Sequence, residues 1–405
     1  MNAIAGWLTV LLLFPLTVLV VYEWILALVS YAFRPAPLVR SARPTRFLVL
    51  IPAHNEEGGI EGTLRSLEAL NYPGDCYEIV VVADRCTDGT AAMVRRHRAR
   101  CLERNEGVAG KGATLAWGLE ESKRAGIAYE AVVIIDADTL ADRDLLQAFD
   151  SALQQGHAVQ QGYNYISNPW ASPFTRIIAV TGVLRNARYY AGKNVLGLQG
   201  MLTGTGMCLS ASVLSRHGWS AFSVGEDWEF SVDLLLAGED IYFNPQAKTL
   251  ARESQNLQQA SRQRLRWASG RYAVMGNKAW ILIVEGFRRR RLSLIDAAVT
   301  LLAPNYSSQA SFSLLGLGIS LVNLAHSTWG FTVYWAAGLV CAIAGYFLLG
   351  VLSTDAPGRA LAGLLLIPVF LPWRLAIEVL GMLGYGRRHW GRMSRSNVSA
   401  RESQP

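Results

Sequence analysis

The sequence has few of the residues that build metal clusters or disulfide frameworks. Its 405 residues include five cysteines and six histidines, with no CxxC pair and no Cys/His cluster. This argues against a zinc site and a disulfide framework and favours a reduced, cytosolic setting. No GxGxxG follows the first predicted strand, and Gly58-Gly59 is too little for a Walker loop. Dinucleotide binding and P-loop chemistry therefore lose support.

Charged residues are absent from residues 4–22, and apolar character resumes after Glu23. The segment can form one helix across a bilayer, which needs about 20 residues. A cleaved signal peptide is the alternative, but no basic residue precedes the apolar run. We predict a transmembrane helix at residues 1–33 and a basic linker at 34–46. The arginines of this linker place the following domain, residues 47–287, in the cytoplasm by the positive-inside rule.

Apolar segments return after the middle domain. Four consecutive arginines open residues 288–304, which we predict to form a basic helix on the membrane surface. Residues 305–353 are predicted to hold two transmembrane helices, near 308–325 and 329–352. The chain is therefore expected to be a multi-pass protein of the cell (inner) membrane, in contact with membrane lipids.

The last apolar segment, residues 358–385, is ambiguous. It is long enough to cross a bilayer, but Pro368, Pro372, Arg374 and Glu378 interrupt it, and charges at mid-membrane are costly. We favour an interfacial or re-entrant helix. Three spans, and not four, would then keep the basic tail, residues 386–405, in the cytoplasm.

The net charge of +7 does not indicate nucleic-acid binding. The arginines concentrate beside the apolar segments, where anionic lipid headgroups attract them. We therefore expect no nucleic-acid partner.

The middle domain has the alternation of an α/β fold with a mostly parallel sheet. Short apolar runs rich in β-branched residues at 47–52, 78–83 and 132–135 are each followed by turn residues. Ligands of such sheets gather beyond the carboxyl ends of the strands. Glu56, Asp84 and the pair Asp136 and Asp138 lie at those ends, so they are expected to point into one crevice.

Asp136 and Asp138 are two residues apart at a strand end, where a turn can bring both carboxylates to one hard cation. Phosphate oxygens and water would complete the shell of Mg²⁺ or Mn²⁺. Capping of the next helix is the alternative for these aspartates. Lys111, between two glycines before another helix, could place an ammonium beside phosphate or be a solvated lysine.

Two further clusters follow. Glu226 and Asp227 open an amphipathic helix, where acidic residues are also ordinary partners of the helix dipole. Gln263, Arg266 and Trp267 share one helix face at i, i+3 and i+4. An amide, a guanidinium and an indole suit a pyrophosphate and a sugar ring. A helix resting on the membrane would also be rich in Arg and Trp.

With these motifs the chain resembles the family 2 glycosyltransferases, the inverting group that includes cellulose, chitin and hyaluronan synthases and ceramide glucosyltransferases. The resemblance covers about residues 47–284. It rests, in order along the chain, on Pro52-Ala53-His54-Asn55-Glu56-Glu57, Ala83-Asp84-Arg85-Cys86-Thr87-Asp88, Asp136-Ala137-Asp138, Gly225-Glu226-Asp227 and the QxxRW motif at Gln263 to Trp267.

The resemblance implies a GT-A fold, a Rossmann-like domain that binds a nucleotide sugar, and assigns roles to these residues. Asp227, next to Glu226, would be the catalytic base, and Asp138, assisted by Asp136, would bind the metal. The acceptor loop would contain Thr203, Gly204 and Thr205. The donor site would comprise Pro52, His54, Glu56, Asp84, Lys111, Asp136, Gln263, Arg266 and Trp267.

Two products remain open from the sequence. A UDP-sugar donor could supply a growing polysaccharide, as in exopolysaccharide or cell-envelope assembly, or a single sugar could pass to a lipid or lipid-linked acceptor. Three or four spans are too few to enclose a polysaccharide channel, so a homo-oligomer or an export partner would complete one. The acceptor loop also lacks the aromatic residues and the cysteine that precede the glycine in cellulose synthases; Gly200-Met201-Leu202-Thr203 stand there. A transporter is disfavoured because few polar residues lie in the spans.

Overall fold

The computed structural model describes residues 2–255, 257–324 and 330–386. A π-helix occupies Leu184–Tyr190, and 3-10 turns occupy Ser30–Ala32 and Leu364–Leu366. The strands are β1 (Phe47–Ala53), β2 (Tyr77–Asp84), β3 (Arg100–Arg104), β4 (Ala131–Ile134), β5 (Thr139–Ala141), β6 (Val159–Ile166), β7 (Met207–Ser210) and β8 (Ile241–Ala251). The helices are α1 (Asn2–Val29), α2 (Ile60–Glu68), α3 (Thr90–Val94), α4 (Lys111–Arg124), α5 (Leu145–Gln154), α6 (Pro173–Val183), α7 (Ala191–Val195), α8 (Ala211–His217), α9 (Glu226–Ala237), α10 (Leu257–Arg288), α11 (Leu292–Leu302), α12 (Tyr306–Leu324), α13 (Phe331–Leu352), α14 (Pro357–Gly363) and α15 (Ile367–Met382).

One eight-stranded sheet forms the centre of the middle domain, in the order β3-β2-β1-β4-β7-β6-β8-β5. Strands β3, β2, β1 and β4 are parallel, whereas β7 runs antiparallel to both β4 and β6. Every residue of β1 and of β4 is buried, because helices cover both faces of a parallel sheet. The predicted α/β class and the three predicted strands are confirmed.

The carboxyl ends of β1, β2 and β4 lie along one edge of this sheet, since these neighbouring strands are parallel. The backbone turns sharply just past two of them, where Asn55 and Arg85 have φ values of 55° and 49°. Non-glycine residues seldom adopt such values, and those that do cluster at functional sites. The edge predicted to bind ligands is therefore also the edge with the unusual backbone.

Helices α1, α12 and α13 pack together outside the sheet domain. Trp335 Nε1 donates to Thr17 Oγ1 at 2.8 Å, and Trp24 Nε1 donates to the Ala342 carbonyl at 3.1 Å, so α13 runs parallel to α1. Gln309 at the start of α12 donates to Glu23 Oε1 at 2.8 Å near the end of α1, so α12 runs in the opposite direction. The connection at residues 325–329 lies outside the described residues.

Within the described residues, three helical segments are long and apolar enough to cross a membrane: Gly6–Ala32, Phe331–Leu352 and Pro357–Met382. The first two coincide with predicted spans. The third is the segment that we expected at the interface, while α12, which we expected to span, is not among the three. The number of spans therefore stays a prediction.

Helix α15 packs against α10 and also against α12 of the bundle formed by α1, α12 and α13. Trp373 Nε1 donates to Ser261 Oγ at 2.9 Å, and the Tyr272 hydroxyl donates to Glu378 Oε2 at 2.9 Å. Both partners lie on α10, which follows the last strand of the sheet. Length and composition would let α14 and α15 cross, so the interfacial position stays a prediction. The predicted basic tail lies outside the described residues after Gly386.

Candidate active site

Lys111 occupies the centre of the crevice at the first residue of α4. Its Nζ lies 2.5 Å from Asp136 Oδ1 and 3.7 Å from Glu226 Oε1, and it donates to the Gly204 carbonyl at 2.6 Å. The ammonium thus connects the end of β4, the start of α9 and the predicted acceptor loop. The sequence left its role open, and the structure brings it into contact with three predicted site segments.

Glycine next to Lys111 allows α4 to start this deep in the domain. A Cβ on Gly112 would lie 2.1 Å from the Ala221 carbonyl oxygen. Any larger residue would push α4 away from the backbone at residue 221, because real Cβ atoms do not approach backbone that closely. The glycine therefore positions the ammonium.

The charges at this centre shift one another's protonation. Burial alone would lower the pKa of Lys111, but Asp136, Glu226 and Asp227 together raise it, so the lysine is charged. Burial, and secondly the neighbouring Glu226, raise the pKa of Asp227 to about 7, although Lys111 acts in the opposite direction. Burial likewise raises the pKa of Glu226. A carboxyl group that titrates near neutral pH is suited to exchange a proton during a reaction.

Asp227 faces the acceptor loop directly. A Cβ built on Gly204, whose φ is 83°, would lie 3.2 Å from Asp227 Oδ2 and 3.3 Å from Lys111 Nζ. The Ser231 hydroxyl accepts from Leu202 N at 2.8 Å and donates to the Asp227 carbonyl at 2.7 Å. The start of α9 and the loop are thereby held as one unit, with the carboxylate beside the loop's glycine.

Two side chains of β6 hold the acceptor loop from the other side. Thr203 N donates to Gln161 Oε1 at 2.7 Å, and Asn164 Nδ2 donates to Thr203 Oγ1 at 2.9 Å. Thr205 Oγ1 accepts from Asp136 N at 3.0 Å, which connects the loop to the predicted metal site. Sequence reasoning missed Gln161 and Asn164. Polar amides inside a largely buried strand were the available signal.

The QxxRW residues lie on α10, as predicted. Gln263 and Arg266 are half-buried, and Arg266 is near enough to Glu226 to oppose the rise of its pKa. Trp267 is 49% exposed, so its indole is open to a ligand or to the membrane surface. The intervening Arg264 has another function: it forms a buried ion pair with Glu253 at 3.0 Å that attaches α10 to the domain.

The helices α9 and α10 meet backbone to backbone at two glycines. A Cβ on Gly270 would lie 2.9 Å from Gly225 N, and one on Gly225 would lie 3.0 Å from the Gly270 carbonyl carbon. This contact fixes Arg266 relative to the acidic pair at the start of α9. Gly225 was noted in the sequence as part of a motif, whereas nothing in the sequence marked Gly270.

The predicted donor residue Asp84 is enclosed by arginines. Its side chain is fully buried, with Oδ1 2.8 Å from Arg104 Nη1 and Oδ2 2.8 Å from Arg85 Nη2. His54 Nδ1 lies 2.7 Å from the carbonyl oxygen of Asp84. A nucleotide can reach this carboxylate only if Arg85 moves. The role of Asp84 in donor binding stays a prediction, and Arg85 becomes a candidate for it.

The other predicted donor residues surround this point. Pro52 is buried inside β1, one residue before the strand ends, and its role in donor binding stays a prediction. Glu56 N donates to Thr90 Oγ1 at 2.8 Å, which joins the turn after β1 to the start of α3. These contacts set the backbone of the predicted nucleotide pocket.

Asp136 and Asp138 at the end of β4 are half-buried. The described residues contain no group of three or more His, Cys, Asp or Glu side chains that could hold a metal by themselves. Mg²⁺ and similar ions are commonly bound by one or two carboxylates together with substrate phosphates. Two carboxylates at the mouth of a crevice fit that donor set. Lys111 lies 2.5 Å from Asp136 Oδ1, and the assignment of Asp138 as the metal ligand stays a prediction.

Comparisons with known proteins agree with the family resemblance that the sequence motifs indicate. A family model described as "Glycosyltransferase like family 2" matches residues 44–270. The probable glycosyltransferase YdaM of Bacillus subtilis is 28% identical over 239 residues, 56% of this chain and 55% of its own length. The poly-beta-1,6-N-acetyl-D-glucosamine synthase of Staphylococcus aureus is 23% identical over 270 residues, 63% of this chain and 61% of its own. The chain thus spans little more than half the length of these curated relatives.

A solved structure is similar over nearly the whole chain. The mannosyltransferase PcManGT from Pyrobaculum calidifontis, in complex with GDP-Man and Mn²⁺, superposes with a TM-score of 0.56 over 95% of this chain and 98% of its own, at 18% identity. At that identity the likeness shows the fold. The predicted GT-A fold is confirmed.

Proposed function

The chain belongs to the glycosyltransferase family 2-like proteins, as the match over residues 44–270 shows, and from the crevice we propose that it moves a sugar from a UDP-sugar to a growing polysaccharide with inversion. The observation that carries this proposal is the cluster of Lys111 with Asp136, Glu226 and the Gly204 carbonyl. In this cluster a cation that can bind phosphate, a carboxylate that we propose helps to bind the metal, and the start of α9 meet at the acceptor loop.

The reaction follows from these positions. The acceptor hydroxyl enters beside Gly204, and Asp227 takes its proton while the oxygen attacks the anomeric carbon. The bond between that carbon and the phosphate oxygen breaks in the same displacement, and its electron pair leaves with UDP. Lys111 and Arg266 lie where they can stabilise the negative charge on the leaving diphosphate.

Asp138, with help from Asp136, would hold Mg²⁺ or Mn²⁺. When bound, the ion supplies charge neutralisation for the diphosphate. The chain's own contribution is to hold these carboxylates rigidly: Asp136 is fixed by Lys111 and by the contact between its backbone N–H and Thr205.

Asp138→Ala should weaken metal-dependent donor binding by at least about tenfold, the lower end of what loss of a metal's supporting residues costs. Calorimetric titration of UDP-sugar with and without Mn²⁺ measures this. Asp142→Ala, which removes a nearby carboxylate outside the crevice, is the control and should keep the metal dependence. Equal donor affinity of the unaltered protein with and without divalent metal would show that the metal assignment is wrong.

The rate should depend on pH through Asp227. Because its pKa is raised to about 7, the carboxyl group is mostly protonated below that pH and cannot accept the acceptor's proton. We expect kcat/KM to rise between about pH 5 and about pH 8, with a midpoint near the pKa of this group in the free enzyme. A profile that is flat over this range would contradict the role of Asp227.

Gly270→Ala should lower transfer by about a hundredfold, because a Cβ there must push α9 away from α10 and so displace Asp227 relative to Arg266. Gly276→Ala is a matched control on the same helix, since a Cβ at Gly276 has no atom within 4 Å. Initial rates and thermal unfolding should be compared for both. Equal rates in the two variants would contradict the positioning role of this contact.

The acceptor proposal is supported by the relative named as a polysaccharide synthase. Membrane placement is supported by the helices long and apolar enough to cross a bilayer. We propose that α1, α12 and α13 cross the cell (inner) membrane and that α10, α11 and α15 lie at its cytoplasmic surface. A homo-oligomer or an export partner would then complete a path for the polymer.

Incubation of membranes with a panel of labelled UDP-sugars, with GDP-mannose as comparison, tests the proposal. The expected product is labelled polymer of high molecular weight from one UDP-sugar. Label in the lipid extract alone would replace the polysaccharide by a lipid-linked acceptor, and transfer from GDP-mannose alone would contradict the UDP donor.

A further inference from the structure

An apolar groove runs along the membrane bundle between the parallel helices α1 and α13. Its volume is about 500 Å³, and its walls are almost wholly apolar. On α1 the lining residues run from Thr17 to Leu28, which by the helical rise corresponds to roughly 16 Å along the axis. Several of them, including Val21, Ile25 and Leu28, are about half exposed. The groove therefore has the shape and surface of a site for an alkyl chain.

A cation lies at the cytoplasmic end of the same two helices. The Arg188 guanidinium, on the π-helix, packs over the Tyr31 ring at 4.2 Å and donates to Ser353 Oγ at 2.8 Å. Tyr31 lies three residues past Leu28, the last lining residue of α1, whereas the lining on α13 ends at Ala342, before Ser353. The groove therefore leads to the arginine along α1.

Within the described residues, no ion pair neutralises the positive charge at this end. Among the described residues, no carboxylate forms an ion pair with Arg188 or with the exposed Arg185. The contacts of Arg188 are hydroxyls and an aromatic ring, and the side chain is half-buried. Arg34, also exposed, adds a third cation beside it and bonds only to backbone carbonyls. A partly desolvated guanidinium without a counter-charge favours an anion, and its planar fork suits phosphate.

We propose that this surface binds one anionic phospholipid, with a chain in the groove between α1 and α13 and the headgroup phosphate at Arg188. An apolar groove that leads to a positive charge fits a ligand with an alkyl chain and an anionic headgroup, and a phospholipid has both. The π-helix that carries Arg188 also carries Asn186, whose Nδ2 donates to the Asn164 carbonyl at 3.0 Å. The Asn164 side chain in turn donates to Thr203 of the acceptor loop. The lipid is thus bound next to the acceptor side of the crevice. The proposal depends on membrane placement of the bundle and not on the identity of the donor or acceptor.

The groove offers a substitution with a close control. Gly338 lines the groove, and a Cβ on it has no atom within 4 Å, so Gly338→Leu fills the groove without displacing the helices. Gly318 on α12 is equally open and exposed but lies outside the groove, so Gly318→Leu is its match. For the headgroup, Arg188→Gln removes the charge and Arg188→Lys keeps it. Arg359→Gln removes an exposed charge elsewhere at the same membrane surface.

The full chain is reconstituted in nanodiscs of equal parts phosphatidylglycerol and phosphatidylcholine, and lipid retained by the released protein is counted by native mass spectrometry. We expect phosphatidylglycerol to be enriched, and Arg188→Gln to lower the enrichment about fivefold, the effect of roughly one charge at a lipid surface. Arg188→Lys and Arg359→Gln should keep most of it. Gly338→Leu should reduce retained lipid, and Gly318→Leu should not.

Four results would overturn the proposal. Equal retention of the two lipids, or unchanged enrichment in Arg188→Gln, would show that Arg188 does not bind a lipid headgroup. Equal retention in Gly338→Leu and Gly318→Leu removes the groove as the chain site. Failure of the unaltered protein to enter nanodiscs contradicts the membrane placement on which the site depends, whereas none of these results bears on sugar transfer.

Discussion

Asp227→Asn should lose sugar transfer by about 10²- to 10⁴-fold, the contribution expected of a general base, while donor binding stays close to normal. An amide at this position fills the same space but cannot accept the acceptor's proton. The carboxylate lies beside the loop glycine Gly204, and the amide keeps its size, so the donor pocket should remain intact. Initial rates and donor calorimetry on the purified full chain give the two quantities.

Asp233→Asn is the control for this variant. It removes a carboxylate farther along α9 that pairs with Lys278, away from the Lys111 cluster, so transfer should stay near normal. Near-normal turnover of Asp227→Asn would remove Asp227 as the base. Loss of donor binding in parallel with transfer would assign Asp227 to the donor pocket.

Lys111→Met should destabilise the protein by about 2–4 kcal/mol. Removing one partner of a buried ion pair costs roughly 3–5 kcal/mol, and the value is reduced here because Asp136 is 35% exposed. Asp136, Glu226 and Asp227 would be left together without the ammonium that attracts them. Thermal unfolding of the full chain measures the change.

The same substitution should shift the pH profile of any remaining activity. Lys111 lowers the pKa of Asp227 against the effect of burial, so its loss should raise that pKa and move the midpoint of the rate to higher pH. Lys123→Met, at the exposed end of the same helix, should change neither stability nor profile. If both lysine variants unfolded at the same temperature, the central role of Lys111 would be contradicted.

Much of the site could be predicted because strand ends are visible in the sequence. Local periodicity alone predicts the acidic residues at the ends of β2 and β4. It also predicts that Gln263 and Arg266 share one helix face. The role of Lys111 could not be predicted, since its partners Asp136, Gly204 and Glu226 come from three distant segments.

Other features depend on contacts that no local pattern encodes. Arg104 pairs with Asp84 because β2 and β3 are neighbours, and this arrangement encloses a carboxylate that the sequence placed at an open strand end. Gly225 and Gly270 are 45 residues apart in number and meet only when α9 crosses α10. The assignment of Pro52 to donor binding stays a prediction, with the residue buried inside β1.

The hydropathy of the apolar helices also does not reflect how they pack. The serines and Gln309 lower the apolar character of α12. Gln309, Ser313 and Ser320 are nevertheless buried, because neighbouring helices can satisfy polar groups inside a helix bundle. Conversely, Pro357–Met382 is apolar enough to cross but packs on α10 as well as on α12. Which of the two segments crosses the membrane stays a prediction.

The anomeric configuration of the new linkage tests the central claim most directly. The purified full chain, supplied with Mn²⁺, its accepted α-linked UDP-sugar and acceptor, should form a product whose new glycosidic bond is β by NMR. Direct attack by an acceptor hydroxyl that Asp227 deprotonates requires this inversion. A product with the α linkage would contradict the single displacement and with it the role assigned to Asp227.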